Sequence, residues 1–483
     1  MTSQPFELLI SVTRDDKRRL GAQIEEQFRL AIRAGTLRRG TRIPSTRDLS
    51  RQLGVSRPIV VDAYAQLAAE GYLTLSHGSR PRVSASAVGG KVRAIESVES
   101  KRPPRFDFMP AVPDLSSFPR TGWLRAAREA LASMSDNDFG YGDPHGSEVL
   151  RVALVEYLGR ARGVIADAAQ VVVTSGYAQG RVLACRALKA SGAKRIAVED
   201  PSYSEWEAVT DAGLEMVPVP LDDHGMQVSV LERAGADAVM LTPSHQFPTG
   251  IAMSGERRTA VLAWLRATHA IAIEDDYDAE YRYDRAPVGA LQALEPDSII
   301  YAGTASKTLA PALRLGWLVV PQRLLAAVQA EQRRADFGCP RIDQHILAEF
   351  VTSGELDRHL RRMRVRYRAR RDALVGAIAA ELPEAEVYGI AAGLHATVRL
   401  PIGYNEHAIR DEARRQGIAL DILSDHRVAS RGGSPTLLLG YARNSEPTIR
   451  AGVRELAIAI RATRPSGAYR SHSEPATSNR EDR

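Results

Sequence analysis

One stretch of the chain restricts its chemistry more than any other. Residues 301–317 read YAGTASKTLAPALRLGW and carry Lys307, with hydroxyl groups before it and an arginine after it. Upstream, the apolar run 270–273 leads into the acidic cluster 274–278, EDDYD. Pyridoxal phosphate needs an amine for a Schiff base, a carboxylate that keeps its pyridine nitrogen protonated, and cationic and hydroxyl groups for its phosphate. All three kinds of group occur here, so the sequence predicts a pyridoxal phosphate site with its Schiff base on Lys307.

Short apolar runs alternate with helical stretches through the centre of the chain. Strand-like runs occupy 170–174, 195–199, 238–242 and 271–273, a pattern typical of a parallel sheet that is covered by helices on both faces. Ligands of such sheets bind beyond the carboxyl ends of the strands. We therefore expect an α/β domain with a mostly parallel sheet and a ligand site at that edge.

The N-terminal region has a different pattern. Apolar residues recur at helical spacing up to Ile32, and two further short helices are predicted to begin at the capping residues Ser45 and Ser56, with Pro58 in the first turn of the last helix. The segment 73–83, LTLSHGSRPRV, is predicted to form a strand, a turn and a strand. This order indicates a winged helix-turn-helix, whose second helix enters the major groove of DNA.

The charge of this region supports DNA binding. Residues 1–85 contain fourteen Lys or Arg against eight Asp or Glu, a net charge of +6, which equals the formal net charge of the whole chain. The remaining residues therefore sum to zero. Positive charge concentrated on one small module is the electrostatic footprint of a protein that binds phosphates, so we expect a double-stranded DNA operator as partner.

Both regions resemble known families. The motifs GTL at 35–37, IPSTRDL at 43–49 and LGVSR at 53–57 are similar to the winged helix-turn-helix of GntR regulators. Residues 106–462 resemble the fold-type-I, class I/II aminotransferases, and the fusion of the two resembles the MocR/GabR group of bacterial regulators. The resemblance implies a pyridoxal-phosphate-dependent transcriptional regulator. The alternative is an active aminotransferase with an accessory DNA-binding head.

The resemblance also implies roles for residues around the lysine. Asp275 matches the partner of the pyridine nitrogen, although the residues alone leave Glu274 and Asp276 as alternatives. Tyr277 matches the hydroxyl that hydrogen-bonds the phenolic oxygen of the cofactor, and Tyr203 matches the ring that stacks on the pyridine. The matches for the phosphate are Gly176, Tyr177, Ala178, Thr304, Ser306, Arg314 and, from the other subunit of a homodimer, Tyr141.

In the helix-turn-helix, Arg57 at the start of the second helix is expected to contact a base edge or an adjacent phosphate. The other residues predicted to face DNA lie at the helix starts and on the wing, and they are Ser45, Thr46, Arg47, Ser56, His77, Gly78 and Arg80.

Two positions depart from the aminotransferase pattern. Aminotransferases carry an asparagine beside the phenolic oxygen just before a PTG motif, where this chain reads SHQF, so His245 or Gln246 is expected to substitute. They also carry an arginine that clamps the substrate carboxylate bidentately, where this chain has Leu438. Arg443 is close in sequence but is expected to point elsewhere. This loss argues against efficient transamination and favours a sensor of pyridoxal phosphate itself or of an amine.

Four segments are predicted from composition and pattern. They are a DNA-binding domain at 14–84, a flexible linker at 85–105, an aminotransferase-like domain at 106–463 and a disordered tail at 464–483. The chain has two cysteines without metal-ligand neighbours and no apolar run near the ~20 residues that a membrane span requires. We therefore expect a cytoplasmic protein with reduced thiols and no metal.

Overall fold

The structure is a computed structural model. It describes residues 10–14, 18–76, 79–84, 103–203, 206–283, 288–429 and 432–463. The chain divides into two compact units, Met1–Arg102 and Pro103–Arg483. Most of the predicted linker and all of the predicted tail lie outside the described residues.

The first unit has three helices followed by a hairpin, as the sequence predicts. The strands Leu73–Thr74 and Arg82–Val83 pair in antiparallel register. The elements are α1 (Leu20–Arg33), α2 (Thr46–Leu53), α3 (Arg57–Ala69), β1 (Leu73–Thr74) and β2 (Arg82–Val83).

Apolar side chains at helical spacing build the core of this unit. Phe28 on α1 and Tyr64 on α3 are fully buried and meet edge to face, with ring centroids 5.6 Å apart. The Tyr64 hydroxyl donates to the Pro44 carbonyl oxygen at 3.0 Å, which satisfies the polar end of a buried ring. This core fixes α2 and α3, the two helices of the helix-turn-helix, against α1.

The second unit is an α/β structure in which eleven α-helices and six short 3-10 helices are interleaved with fourteen strands in the described part of the chain. Its strands are β3 (Phe106–Asp107), β4 (Val171–Thr174), β5 (Arg195–Asp200), β6 (Glu215–Asp222), β7 (Gly225–Met226), β8 (Ala238–Leu241), β9 (Ile271–Asp275), β10 (Ile299–Thr304), β11 (Gly316–Val319), β12 (Glu386–Tyr388), β13 (His395–Arg399), β14 (Ile418–Ala419), β15 (Asp421–Ile422) and β16 (Thr436–Gly440).

The helices of this unit cover the sheets. They are α4 (Arg120–Ser133), α5 (Glu148–Arg162), α6 (Tyr177–Ala190), α7 (Glu207–Thr210), α8 (Val228–Leu231), α9 (Gly255–Thr268), α10 (Gln322–Ala335), α11 (Arg341–Thr352), α12 (Glu355–Glu381), α13 (Glu406–Arg415) and α14 (Glu446–Ala462). Short 3-10 helices occupy Leu115–Ser117, Asp136–Phe139, Ala168–Gln170, Gln292–Leu294, Pro311–Leu313 and Leu423–His426.

The central sheet has eight strands in the order β4-β11-β10-β9-β8-β5-β6-β7. Neighbours from β10 to β6 are parallel, whereas β11 and β7 run antiparallel to their neighbours. The mostly parallel sheet predicted from the buried apolar runs is therefore confirmed. Every residue of β4, β8 and β9 is buried, which is the reason why these strands read as continuous apolar runs.

A second, antiparallel sheet has the order β12-β13-β16-β15, and β14 pairs in parallel register with β3. No helix in the described residues is long and apolar enough to cross a membrane. No cluster of three or more His, Cys, Asp or Glu in that part of the chain has the arrangement of a metal site.

Candidate functional site

The carboxyl ends of two neighbouring strands bring the lysine and the acidic cluster together. β9 ends at Asp275 and β10 ends at Thr304, and Ala302 pairs with Asp275 in parallel register. Lys307 lies in the turn that follows β10. The two motifs therefore meet at one edge of the sheet, where ligands of parallel sheets bind.

Lys307 is partly buried, and its amine has no hydrogen-bond or ion-pair partner among the described residues. Burial lowers the pKa of the Lys307 ammonium below its ordinary value, against the opposing negative charges of Asp278 and Asp275. A lowered pKa increases the fraction of neutral amine, which is the nucleophile that forms a Schiff base.

The three adjacent carboxylates of the cluster have different partners. Glu274 accepts hydrogen bonds from the backbone N–H groups of Leu291 and Gln292 at 2.7 and 2.8 Å. Asp276 forms a buried ion pair with Arg162, whose Nε lies 2.6 Å from its Oδ2. Of the three carboxylates, Asp275 lines the cavity beside Lys307, and its role toward a pyridine nitrogen stays a prediction.

The Asp275 carboxylate has one oxygen available for a ligand. Its Oδ2 accepts a hydrogen bond from the Tyr203 hydroxyl, and its Oδ1 is buried without a partner in the described structure. Burial raises the pKa of Asp275 to about 7, against the opposing Tyr203 hydrogen bond. A buried acceptor without a donor is costly, and a protonated pyridine nitrogen would supply that donor. The site therefore fits pyridoxal phosphate at this end.

The phosphate end fits as well. Gly176 has φ +82° and immediately precedes α6, so backbone N–H groups of Tyr177 and Ala178 begin a fourteen-residue helix whose positive end favours anions. Arg314 donates to the Ser175 carbonyl oxygen at 2.7 Å, and a Cβ at position 176 would lie 3.1 Å from its guanidinium. The glycine therefore lets the arginine approach the helix start closely.

Hydroxyl groups complete this end. The Thr304 hydroxyl donates to Ser306 Oγ at 3.0 Å, and the Ser306 backbone N–H donates to Thr304 Oγ1 at 3.2 Å. Both residues line the same cavity of about 340 Å³ as Lys307 and Arg314. Of the cofactor residues predicted on this chain, the structure thus gathers all but Gly176 and Tyr141 in the cavity wall, and Gly176 adjoins it.

Three residues of the cavity wall were not predicted from the sequence, namely Ala111, Phe247 and His426. Phe247 could have been found from its position directly before the PTG motif, whereas the other two lie far away in sequence. Tyr203 lines the cavity too, and its ring stacks on Phe247 with centroids 5.0 Å apart and planes 13° apart. Its stacking on a pyridine ring stays a prediction.

The expected substitutes for the missing asparagine lie outside the cavity wall. Gln246 donates to the Pro201 carbonyl oxygen at 2.9 Å and accepts from the Thr249 hydroxyl at 2.6 Å. These bonds engage both ends of the Gln246 amide away from the cavity, which leaves His245 of the two alternatives. His245 instead lies 3.0 Å from the Tyr277 hydroxyl.

The structure also places the residues near the missing carboxylate clamp. Leu438 on β16 is 0 % exposed and pairs with Thr397 on one side and Asp421 on the other. Arg443 forms an ion pair with Asp107 and does not line the cavity. In the described part of the cavity wall the one arginine is Arg314, and it lies beside the start of α6. That part of the wall therefore offers no second arginine for a substrate carboxylate.

Tyr141 differs from the other predicted residues because 94 % of its surface is exposed on the single chain. It belongs to no cavity wall that the described residues form with Lys307. Its contact with the phosphate of a second subunit stays a prediction.

The predicted DNA-facing residues lie at the helix starts of the first unit. Ser45 caps α2 by accepting from the Asp48 backbone N–H at 3.1 Å, and Thr46 and Arg47 follow in the first turn. Arg57 is the exposed first residue of α3, and its Nε lies 3.4 Å from Thr46 Oγ1. These residues therefore share one end of the helix-turn-helix.

Ser56 and Arg80 are two further residues predicted to face DNA. Ser56 occupies the N-cap position of α3, as predicted, but its side chain forms no capping hydrogen bond. Arg80 on the wing is exposed and lies 3.9 Å from Asp48. His77 and Gly78 lie outside the described residues.

Comparison with known proteins connects both units to families. Residues 113–436 match the family of aminotransferase class I and II, and residues 20–83 match the bacterial regulatory proteins of the gntR family. The HTH-type pyridoxine biosynthesis transcriptional regulator PdxR of Corynebacterium glutamicum is 34 % identical over 463 residues, which cover 94 % of this chain and 99 % of that protein. The probable rhizopine catabolism regulatory protein MocR of Rhizobium meliloti is 30 % identical over 95 % of this chain and 97 % of its own length. The chain belongs to the MocR-type transcriptional regulators of the GntR family.

The second unit of this MocR-type regulator is also similar to solved enzymes. Kynurenine aminotransferase from Pyrococcus horikoshii has a TM-score of 0.67 and 27 % identity, over 74 % of this chain and 91 % of the enzyme. The class I/II aminotransferase fold implies dependence on pyridoxal phosphate, and the GntR helix-turn-helix implies DNA binding.

Proposed function

We propose that this MocR-type regulator binds pyridoxal phosphate covalently through Lys307 and that the cofactor is itself the effector that changes operator affinity. One observation carries the proposal. The cavity joins a lysine amine of lowered pKa to Asp275, whose buried Oδ1 has no partner in the described structure. An amine and a buried acceptor in the wall of one cavity complement the aldehyde and the pyridine nitrogen of one molecule.

The remaining residues of the cavity would hold the cofactor in place. When bound, pyridoxal phosphate supplies an electrophilic carbonyl carbon for the lysine amine. The backbone N–H groups after Gly176, the hydroxyls of Thr304 and Ser306 and the guanidinium of Arg314 would bind its phosphate. Tyr277 would donate to its phenolic oxygen, and Tyr203 would cover its ring.

The effector and the lack of turnover both follow from what the cavity offers. Leu438 at the position of the carboxylate clamp cannot bind an α-carboxylate, and Arg443 is engaged with Asp107. Bidentate arginine contacts give most of the recognition of a carboxylate, so common α-amino acids would bind poorly. The relative PdxR is named for pyridoxine biosynthesis, which supports the cofactor itself as the effector over an amine ligand.

On the DNA side, Arg57 would contact a base edge or an adjacent phosphate from the start of α3. Arg47 and Arg80 would contact the DNA backbone, and the other predicted contacts are Ser45, Thr46, Ser56, His77 and Gly78. A homodimer would present two helix-turn-helix units to an operator with two half-sites. In that dimer the exposed Tyr141 would complete the phosphate site of the neighbouring subunit.

Absorption spectroscopy and a transamination assay test the proposal together. The wild-type protein mixed with pyridoxal phosphate should absorb at about 420 nm, and Lys307→Ala should lose this band, because the lysine makes the conjugated linkage. Alanine, glutamate and aspartate should show negligible turnover with a keto acid. A borohydride-stable adduct on Lys307→Ala would reject the covalent assignment, and rapid turnover would favour the aminotransferase.

A further inference from the structure

Three buried polar side chains meet beside the cavity, and of these only Tyr277 has a role in the proposed binding of the cofactor. His245 Nδ1 lies 3.0 Å from the Tyr277 hydroxyl oxygen and 3.0 and 3.2 Å from the two carboxylate oxygens of Asp278. The three residues are 2 %, 5 % and 1 % exposed. Of the three, Tyr277 alone lines the cavity.

The contacts decide where the protons lie. An ionised carboxylate only accepts hydrogen bonds, so the His245 nitrogen that faces Asp278 must carry a proton. Burial disfavours a charged ring at this position, but the Asp278 carboxylate outweighs it and raises the pKa of His245 above its ordinary value. The same N–H therefore donates to both neighbours, and the Tyr277 oxygen is an acceptor toward His245.

This arrangement leaves the hydrogen of the Tyr277 hydroxyl without an acceptor. No other described residue forms a hydrogen bond with that hydroxyl. A tyrosine hydroxyl whose oxygen accepts one hydrogen bond can still donate its own proton to a second group. For Tyr277 that second group would be a ligand in the cavity that its side chain lines. Without the charged partner Asp278, the ring could take the other tautomer and accept the tyrosine proton instead.

The backbone beside His245 and Asp278 leaves room for their contact. A Cβ at Gly393 would lie 2.1 Å from His245 Cε1 and 2.6 Å from Asp278 Oδ2, so only glycine leaves room for both side chains. His245 Nε2 lies 3.4 Å from the Gly389 carbonyl oxygen. The other titratable or charged groups that influence the ring are His395, whose ring centroid lies 5.2 Å away, and Arg282.

We propose that His245, oriented by Asp278, is a positioning residue that directs the Tyr277 hydroxyl at the phenolic oxygen of pyridoxal phosphate. This inference rests on the proposed function of the cavity. Phe247 stands directly before the PTG motif and has no hydrogen-bonding group, so the asparagine contact of aminotransferases is absent here. Tyr277 is then left as the donor to the phenolic oxygen, and the direction of its hydroxyl matters more.

The test is a double-mutant cycle on the full-length protein with pyridoxal phosphate as the probe. A hydrogen bond to an ionised group contributes a tenfold or larger effect, so His245→Gln and Tyr277→Phe should each weaken cofactor binding about tenfold. The double variant His245→Gln/Tyr277→Phe should bind the cofactor almost as well as Tyr277→Phe alone, within about twofold, because the two side chains act through one contact. Asp278→Asn keeps the size of the side chain, removes the charge and should weaken binding in the same direction.

A spectroscopic readout separates positioning from a structural role. A hydrogen bond to the phenolic oxygen stabilises its ionised form, so losing it should move the pH midpoint of the visible band of the lysine-bound cofactor upward by about one unit. His245→Gln and Tyr277→Phe should move that midpoint equally. His407→Gln, at an exposed histidine outside the cavity wall, should leave both binding and midpoint unchanged.

The possible results distinguish this inference from the proposed function. If the wild-type protein acquires no visible band, the proposed function fails. If the band forms and His245→Gln has wild-type affinity and midpoint, the role of His245 is rejected while the cofactor site stands. If His245→Gln weakens cofactor binding by its full factor even in the Tyr277→Phe variant, the role of His245 is also rejected, because the histidine then acts by another route.

Discussion

The first prediction concerns the buried ion pair between Arg162 and Asp276, which the variant Arg162→Met breaks. Arg162 Nε and Nη2 donate to the two oxygens of Asp276 at 2.6 and 3.2 Å, and Nη2 also donates to Ser244 Oγ at 3.0 Å. Both side chains of the ion pair are 1 % exposed. Arg162→Met leaves the Asp276 carboxylate buried, with the Tyr301 hydroxyl at 2.9 Å as its remaining hydrogen-bond donor in the described structure. An uncompensated buried charge costs about 3 to 5 kcal/mol.

Urea unfolding followed by tryptophan fluorescence measures this loss in the second unit alone, because that unit contains all four tryptophans, Trp123, Trp206, Trp264 and Trp317. The variant Arg162→Met should unfold with about 3 to 5 kcal/mol less free energy than the wild type. Replacing both partners, in Arg162→Met/Asp276→Leu, should recover most of the loss because no buried charge remains. A cost below about 1 kcal/mol for the single variant, typical of an exposed pair, would refute the reasoning, and so would a double variant less stable than the single one.

Three further predictions concern other parts of the molecule. Burial raises the pKa of the Glu199 carboxyl to about 7, so its contribution to stability is present at low pH and is lost as the pH rises through about 7. The melting temperature of Glu199→Gln should therefore rise relative to that of the wild type between about pH 5 and about pH 8. A difference in melting temperature that stays constant over this range would contradict the prediction. Arg57→Ala should lose about 1 to 3 kcal/mol of operator binding in an anisotropy titration, and an unchanged affinity and footprint would reject its place in the groove. Gly176→Ala should retain less pyridoxal phosphate on gel filtration than the wild type. A φ of +82° costs an L-residue about 1 to 2 kcal/mol, and the new Cβ would lie 3.1 Å from the Arg314 guanidinium. Retention equal to that of the wild type would argue against the phosphate site.

Much of the fold follows from local patterns. The strands β4, β5, β8 and β9 are readable because buried parallel strands are continuous apolar runs, and the hairpin after α3 is readable from its turn residues. The meeting of the lysine with the acidic cluster is also readable, because both follow strands whose carboxyl ends share an edge. These inferences need only neighbours along the chain.

The rest depends on residues distant in sequence. The sequence could not distinguish the three carboxylates, because their partners are distant along the chain: Arg162 pairs with Asp276, and the backbone at 291–292 binds Glu274. Periodicity carries no information on such partners. His426 reaches the cavity wall in the same way, through bonds to Asp421 and to the Ser202 carbonyl oxygen at 2.9 and 3.2 Å.

The central claim is that the cofactor bound at Lys307 controls DNA binding. The most direct measurement is the affinity of the cofactor-free protein for its operator with and without added pyridoxal phosphate, at fixed salt, for the wild type and for Lys307→Ala. A ligand shifts DNA affinity only if it favours one arrangement of the protein over another, so we predict a change in operator affinity for the wild type and none for Lys307→Ala. Identical affinities of the cofactor-free and cofactor-loaded wild type, with loading verified by the visible band, would contradict it.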